Sequence, residues 1–237
     1  MLLQATKITK RFGHRTILDD VDIEVQPGEV VSILGPNGAG KTTLIRILST
    51  LLKPASGNLQ IAGANALDNP FGVRQMLGVV VHEPLAYLEL TPYENLRFFG
   101  KLYAVDSLEG RITALLDEVG LTRFAHERME IFSRGMIQRF MIAKALIHDP
   151  ILLFLDEPFS GLDVAAKQFV LDRIHHERAR GKGIVLTTHE TQLGYLAGTR
   201  FLFLLDAQLK SIARKDEISL DELSLQYDMS LKQHQMK

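Results

Sequence analysis

The 237-residue sequence contains no cysteine. Disulfides, thiolate zinc sites and thiol catalysis are thereby excluded, and a reducing compartment fits. Net charge is equally scarce, since 27 Lys and Arg against 28 Asp and Glu leave a formal −1. So balanced a chain offers no global field for nucleic acid or an anionic membrane surface, and no nucleic-acid partner is expected. No apolar run reaches the ~18–20 residues needed to span a bilayer. The most apolar runs, 151–155 and 201–205, suit buried strands instead. The opening Met1-Leu2-Leu3-Gln4-Ala5 meets polar Thr6-Lys7 too early for a signal peptide's apolar region. Internal repeats, low-complexity tracts and Gly/Ser linkers are also lacking. Any contact with a membrane is therefore expected to run through another protein.

What is present is a globular pattern, with 46% hydrophobic residues and enough chain for a sizeable core. Residues 1–9 and 17–25 read as antiparallel strands, because Val21, Ile23 and Val25 alternate with Asp22 and Glu24. Residues 30–34 form a short apolar run of the kind buried on both faces of a parallel sheet. A helix over 41–52 and a strand over 58–62 follow. Residues 92–148 carry several amphipathic helices, with Leu96, Phe99, Leu102 and Tyr103 on one face of the first. Strand–helix alternation then resumes over 151–155, 164–180, 184–187 and 200–205. The pattern predicts an α/β fold, a largely parallel sheet flanked by helices, with an antiparallel β flank and an inserted helical lobe at about 84–148. One domain over 1–218 is expected, followed over 219–237 by a short capped helix and a frayed tail.

Two poles carry chemistry. Gly35-Pro36-Asn37-Gly38-Ala39-Gly40-Lys41-Thr42 matches the P-loop pattern and sits between a strand and a helix, the context that motif requires. Glycines let successive backbone N–H groups curl towards phosphate oxygens, and the helix presents its positive end. Lys41 can reach the β and γ phosphates, the Thr42 hydroxyl can ligate Mg²⁺, and Thr43 is counted with the loop as ATP-binding. The second pole is the run ending in Asp156-Glu157. Asp156 is placed to hold the Mg²⁺ hydration shell, and Glu157 to orient or deprotonate an attacking water. ATP and Mg²⁺ are the expected cofactors.

Many families share those two poles. Phe132-Ser133-Arg134-Gly135-Met136-Ile137-Gln138-Arg139 narrows the choice, because it resembles the signature segment of ABC-type ATPases. Glu157-Pro158-Phe159-Ser160-Gly161-Leu162-Asp163 resembles the family's junction of catalytic glutamate and D-loop. Thr187-Thr188-His189 resembles its switch histidine, and Phe12 stands where the family stacks a ring on adenine. The resemblance runs in family order over residues 2 to about 213. It implies a P-loop NTPase fold and a homodimer that closes on ATP. Lys41, Glu157 and His189 would do the catalysis, and Ser133, Arg134, Gly135 and Met136 would face the nucleotide of the opposite subunit. Asp163 would communicate across the interface. A membrane-spanning transporter subunit is the implied partner, with this chain peripheral on the cytoplasmic side and Tyr87, Leu88 and Phe98 as contact candidates.

Two positions depart from the commonest pattern. The Q-loop glutamine falls on His82, followed by Glu83. A neutral imidazole can still exchange one hydrogen bond, and a carboxylate can approach Mg²⁺. Arg134 replaces a glycine, and its guanidinium could contact a phosphate or point to solvent. Together these segments look closest to the ATPase subunit of the haem exporter of cytochrome c maturation. That resemblance implies export, with ATPases of drug or polysaccharide exporters similar as well, and a non-transport nucleotide-binding regulator of the same family as the alternative.

Overall fold

The alternating and the continuous apolar strands separate into two sheets. The computed structural model describes residues 1–81 and 85–235, and the side chains of all of these but 234 and 235. In chain order, β1 (Leu3–Phe12) and β2 (Arg15–Val25) form a hairpin closed at Gly13, whose φ of +58° favours a residue without a β-carbon. Then come β3 (Val30–Leu34), α1 (Lys41–Leu48), β4 (Ser56–Ile61), β5 (Ala64–Asn65), α2 (Pro70–Arg74) and β6 (Leu77–Val80). A helical stretch follows, made of α3 (Pro92–Leu102), α4 (Leu108–Glu118), two short 3₁₀ turns and α5 (Arg134–Leu146). The chain ends through β7 (Leu152–Asp156), α6 (Val164–Ala179), β8 (Gly183–Thr188), α7 (Thr191–Ala197), β9 (Arg200–Leu205), β10 (Gln208–Arg214) and α8 (Leu220–Gln235).

The first sheet is antiparallel in the order β2-β1-β4-β5, and its outward positions are polar. The second has the order β10-β9-β3-β8-β7-β6, parallel throughout except for the edge strand β10. Its central strands β3, β7 and β8 are buried at every position, which is why they read as unbroken apolar runs. Helix α1 lies between the two sheets and buries Leu44, Ile45, Ile47 and Leu48 in one core with Leu3, Ile8, Val31 and Phe154. Each such side chain contributes about 1.5–3 kcal/mol of burial. A second core joins the helices to the other face, with Leu96, Leu115, Phe140, Phe159, Val170 and Leu186 at its centre. The guanidinium of Arg139 stacks 4.0 Å above the Phe169 ring and ties α5 to α6.

Several expectations from sequence are corrected. Helix α1 stops at Leu48 rather than at residue 52, because Ser49 caps it and Thr50 turns to a φ of +63°. Leu102 is 69% exposed and does not share the apolar face of α3, where Leu96 and Gly100 are buried and Phe99 and Tyr103 pack against the same core. The C-terminal helix is not short. Ser219 and Glu222 exchange capping hydrogen bonds at 2.9 and 3.3 Å, and α8 runs from there to Gln235. Leu223 and Tyr227 anchor it in a small core with Leu34, Phe201 and Phe203.

Candidate nucleotide site

Strand β3 ends at Leu34, and the backbone then curls through Gly35–Gly40 into α1. A β-carbon at Gly35 would stand 2.7 Å from the Leu204 carbonyl, and Gly38 and Gly40 take φ values of +83° and +101°. Glycine is required at these turns for space and for backbone geometry. Gly40 caps α1 without any side-chain hydrogen bond, so the first-turn N–H groups face the cleft uncapped. That end of a helix favours phosphate oxygens. The cleft holds about 290 Å³ and is lined by Phe12, Arg15, Ile17, Asn37, Gly38, Gly40, Lys41, Thr42, Thr43 and Glu157. At its outer edge the Phe12 ring is 53% exposed, a free apolar face beside the loop.

Lys41 is buried. Its ammonium donates to the carbonyls of Gly35 at 2.6 Å and Pro36 at 3.0 Å, and lies 3.0 Å from Glu157 Oε1. The other carboxylate oxygen, Oε2, lies 3.0 Å from Nδ1 of His189, the residue after β8. Glu157 thus bridges the P-loop lysine and the histidine of the adjacent strand. Its own backbone sits at a φ of +50°. For a residue with a side chain, such a conformation costs about 1–3 kcal/mol and persists only where neighbours enforce it. Thr187 is the enforcer. Its hydroxyl accepts from the Glu157 N–H at 3.1 Å, its carbonyl accepts from the same N–H at 3.1 Å, and the hydroxyl donates to Asp156 Oδ1 at 2.7 Å.

Asp156 ends β7, is 2% exposed, and its second oxygen Oδ2 has no hydrogen-bond partner among the described residues. An orphaned buried carboxylate oxygen next to Glu157, which also lines the cleft that holds Thr42, fits a hard cation. Among the described residues no three His, Asp or Glu side chains converge as a protein-only metal site. The donor set suits an ion shared with phosphate oxygens.

The signature residues lie on the other side of Glu157. Ser133 caps α5, its hydroxyl accepting from Met136 N–H at 3.3 Å. Gly135 is close-packed, since a β-carbon there would meet that of Ala166 at 3.4 Å. Arg134 is the first residue of α5. It is exposed as a residue, yet its guanidinium lies against Gly161 of its own chain. Asp163 caps α6, accepting from Ala166 N–H at 2.8 Å. The structure therefore brings Phe12, the P-loop and Glu157 around one cleft, with His189 bonded to Glu157, while Asp156 lines a neighbouring cavity that Glu157 shares with Arg134 and Gln138. His82 and Glu83 lie outside the described residues. Thr187 was missed as a positioning residue because its role depends on the pairing of β7 with β8, which sets Asp156 opposite Thr187.

The family model described as ABC transporter matches residues 18–160, more than half of the chain. The chain belongs to the ABC transporter ATPase family. Among curated relatives, the cassette is 38% identical over 190 residues to the Nod factor export ATP-binding protein I of Cupriavidus pinatubonensis, covering 79% of this chain and 58% of that protein. It is 37% identical over 190 residues to the linearmycin resistance ATP-binding protein LnrL of Bacillus subtilis, covering 79% of this chain and 61% of that one. The chain thus spans about three fifths of the length of these relatives. Among solved structures, an ATP-binding subunit of an ABC transporter superposes with a TM-score of 0.86 at 32% identity, over 95% of this chain and 99% of that one. The ATP-binding cassette MJ0796, a dimer in a post-hydrolysis state bound to ADP and Pi, superposes with a TM-score of 0.82 at 25% identity, over 90% and 99%. The cassette's α/β P-loop fold is that of these ATPases. No helix among the described residues is long and apolar enough to cross a membrane.

Proposed function

We propose that the cassette binds and hydrolyses ATP as one half of a head-to-tail pair, and so drives export through a separate membrane-spanning subunit. The observation that carries this reading is Glu157, held 3.0 Å from both Lys41 and His189 beside the P-loop. Phe12 would stack on the adenine, and the loop over Gly35 to Thr43 would cradle the phosphates, with Lys41 leaving Glu157 for the β and γ oxygens. Glu157, released from that ion pair, would take the proton of the attacking water, while His189 holds its second oxygen and keeps it aimed. Asp156 and Thr42 would hold Mg²⁺, and that ion when bound would offset the negative charge gathering on the transferred phosphoryl group. Ser133, Arg134, Gly135 and Met136, none of which lines the P-loop cleft of its own chain, would complete the opposite subunit's site. Asp163 would lie at the interface between the two.

A groove of about 460 Å³ between the parallel sheet and the helical stretch supplies a docking place for the membrane subunit. Tyr87, 49% exposed, meets Phe98 edge-on at 5.4 Å at its rim, and half-buried Leu88 packs beneath. In this reading residues 1–218 are the ATPase domain, 84–148 its helical lobe, and 219–237 a C-terminal helix. The site would be peripheral, on the cytoplasmic face of the membrane. For cargo, the names of the relatives favour an exporter of the drug-resistance or Nod-factor kind. Haem export rests on the resemblance of Ser133-Arg134-Gly135-Met136 and of the segment with His82, and the drug-type reading is the one adopted.

Glu157→Gln tests the pairing. With saturating ATP and Mg²⁺ the variant should elute at twice the parent mass, and with ADP at the parent mass. A variant that stays monomeric with ATP refutes the ATP-closed pair.

A further inference from the structure

Helix α5 grips the loop that follows Glu157 at two points. Arg134, its first residue, lays its guanidinium over Gly161, where a β-carbon would stand 2.6 Å from Cζ and 3.0 Å from Nε. One turn on, Gln138 Nε2 donates to the Pro158 carbonyl at 3.0 Å. The two lie at i and i+4 on one face of α5, the spacing that makes helical neighbours. Gly161 has a φ of +68°, so glycine is favoured there for its backbone, and the Arg134 guanidinium occupies the space beside it. Among the described residues the Arg134 side chain makes no hydrogen bond or ion pair, and its contact with the loop is the one beside Gly161.

The rest of the loop is pinned too. Its start hangs on Thr187 through the Glu157 N–H, Phe159 is fully buried, and Asp163 caps α6 at its end. A loop held so tightly moves only if what grips it moves. The first turn of α5, which carries Ser133 to Met136, is one of those grips.

We propose that Arg134, with Gln138, is a positioning residue that transmits engagement of the signature turn to Glu157 of its own subunit. This rests on the paired-cassette reading above. There the signature turn meets the nucleotide of one site, while Glu157 acts in the other. A rigid α5–loop connection makes the two sites report on each other, which is a coupling free energy between sites. The common glycine at position 134 has no side chain with which to make this contact. Arg134 thereby acts on its own chain's loop, a role separate from any phosphate contact.

The test is the steepness of ATP hydrolysis against ATP concentration for the full chain, alongside Arg134→Gly, Gln138→Leu and the double variant. Cooperativity between two sites gives the parent a Hill coefficient between about 1 and 2. Each single variant should lower it towards 1 while the melting temperature holds, and the double variant should add little, because both cut one connection. A role confined to folding would lower the melting temperature and the active fraction without changing the Hill coefficient. A parent without cooperativity, or an Arg134→Gly variant as steep as the parent, overturns the proposal. If the parent does not hydrolyse ATP, the functional reading fails instead, and amide exchange upon ATP binding decides. Slowed exchange over residues 158–163 in the parent, lost in Arg134→Gly, upholds the connection; equal protection in both refutes it.

Discussion

The ammonium of Lys41 and the carboxylate of Glu157 lie 3.0 Å apart, both largely out of solvent. Each neutralises the other, and each belongs to a different pole of the site. Phosphates drawing Lys41 away would leave Glu157 with a charge to satisfy on a water molecule. Glu157→Gln should therefore retain ATP and lower turnover by about 10²–10⁴-fold, the range of a lost general base. Lys41→Met should abolish nucleotide binding. Without nucleotide it should also destabilise the fold, because breaking a buried pair strands a charge, at a cost of about 3–5 kcal/mol. Adding Glu157→Gln to Lys41→Met should recover most of that loss in a denaturant titration. No recovery would mean the pair contributes nothing.

Thr187 is the second point of leverage. Thr187→Val keeps the shape and the backbone carbonyl but removes the hydroxyl that serves Asp156 Oδ1 and the Glu157 N–H. Leaving a buried acceptor unpaired costs about 1–3 kcal/mol, and the fold should lose that much. Turnover should fall together with it while ATP affinity is largely kept, since neither oxygen of Glu157 nor the P-loop touches the hydroxyl. Isothermal titration beside steady-state rates separates the two effects.

Phe12 offers an exposed ring with Lys10 Nζ 5.2 Å from its centre on one side. Phe12→Ala should weaken ATP binding by the loss of one base-stacking contact, about 1–3 kcal/mol or roughly 5- to 150-fold. Phe12→Tyr should restore it. Equal affinity in all three proteins would place the adenine elsewhere.

The groove beside the helices has its own pH signature. His148 is stacked on Tyr103 at 3.8 Å, and burial pushes its pKa down from 6.5 to about 4. The folded state therefore holds fewer protons than the unfolded state between those values, and stability should fall as pH drops from 6.5 towards 4. Lys144 donates to the Leu85 carbonyl and stands over Phe99, and burial lowers its pKa from 10.5 to about 8. Its charge is thus a penalty present below pH 8 and relieved as pH rises towards 10.5. His148→Phe should flatten the acid limb of a stability–pH curve, and Lys144→Met the alkaline one. Unchanged slopes in both variants would show that neither group titrates as its burial requires.

The central strands and both chemical poles were readable in the sequence because their physics is local. A strand buried on both faces is apolar nearly throughout, as in 30–34, where Ser32 alone is polar and donates to the Gly194 carbonyl at 2.8 Å, and a phosphate loop needs its glycines in order. What escaped was relational. Strand β6 is only four residues long and earns its place by pairing with β7. Strand β10 is a partly exposed edge whose only ladder partner is β9 among the described residues, and α7 is seven residues long with no side-chain cap. Helix α8 puts Leu223, Tyr227 and Leu231 four residues apart on one face, a spacing present in the sequence, but the Phe201 and Phe203 surface they meet belongs to β9. The site followed the same rule. Asp156, Glu157 and His189 are legible one by one, but Thr187 beneath them and Arg134 against Gly161 depend on register and packing.

The measurement that bears most directly on the paired, ATP-hydrolysing cassette is steady-state ATPase activity with and without Mg²⁺ over a wide range of protein concentration. Composite sites require Mg²⁺-dependent turnover that rises faster than in proportion to protein. Turnover strictly proportional to protein at every concentration, or ATP bound and never hydrolysed, would contradict it.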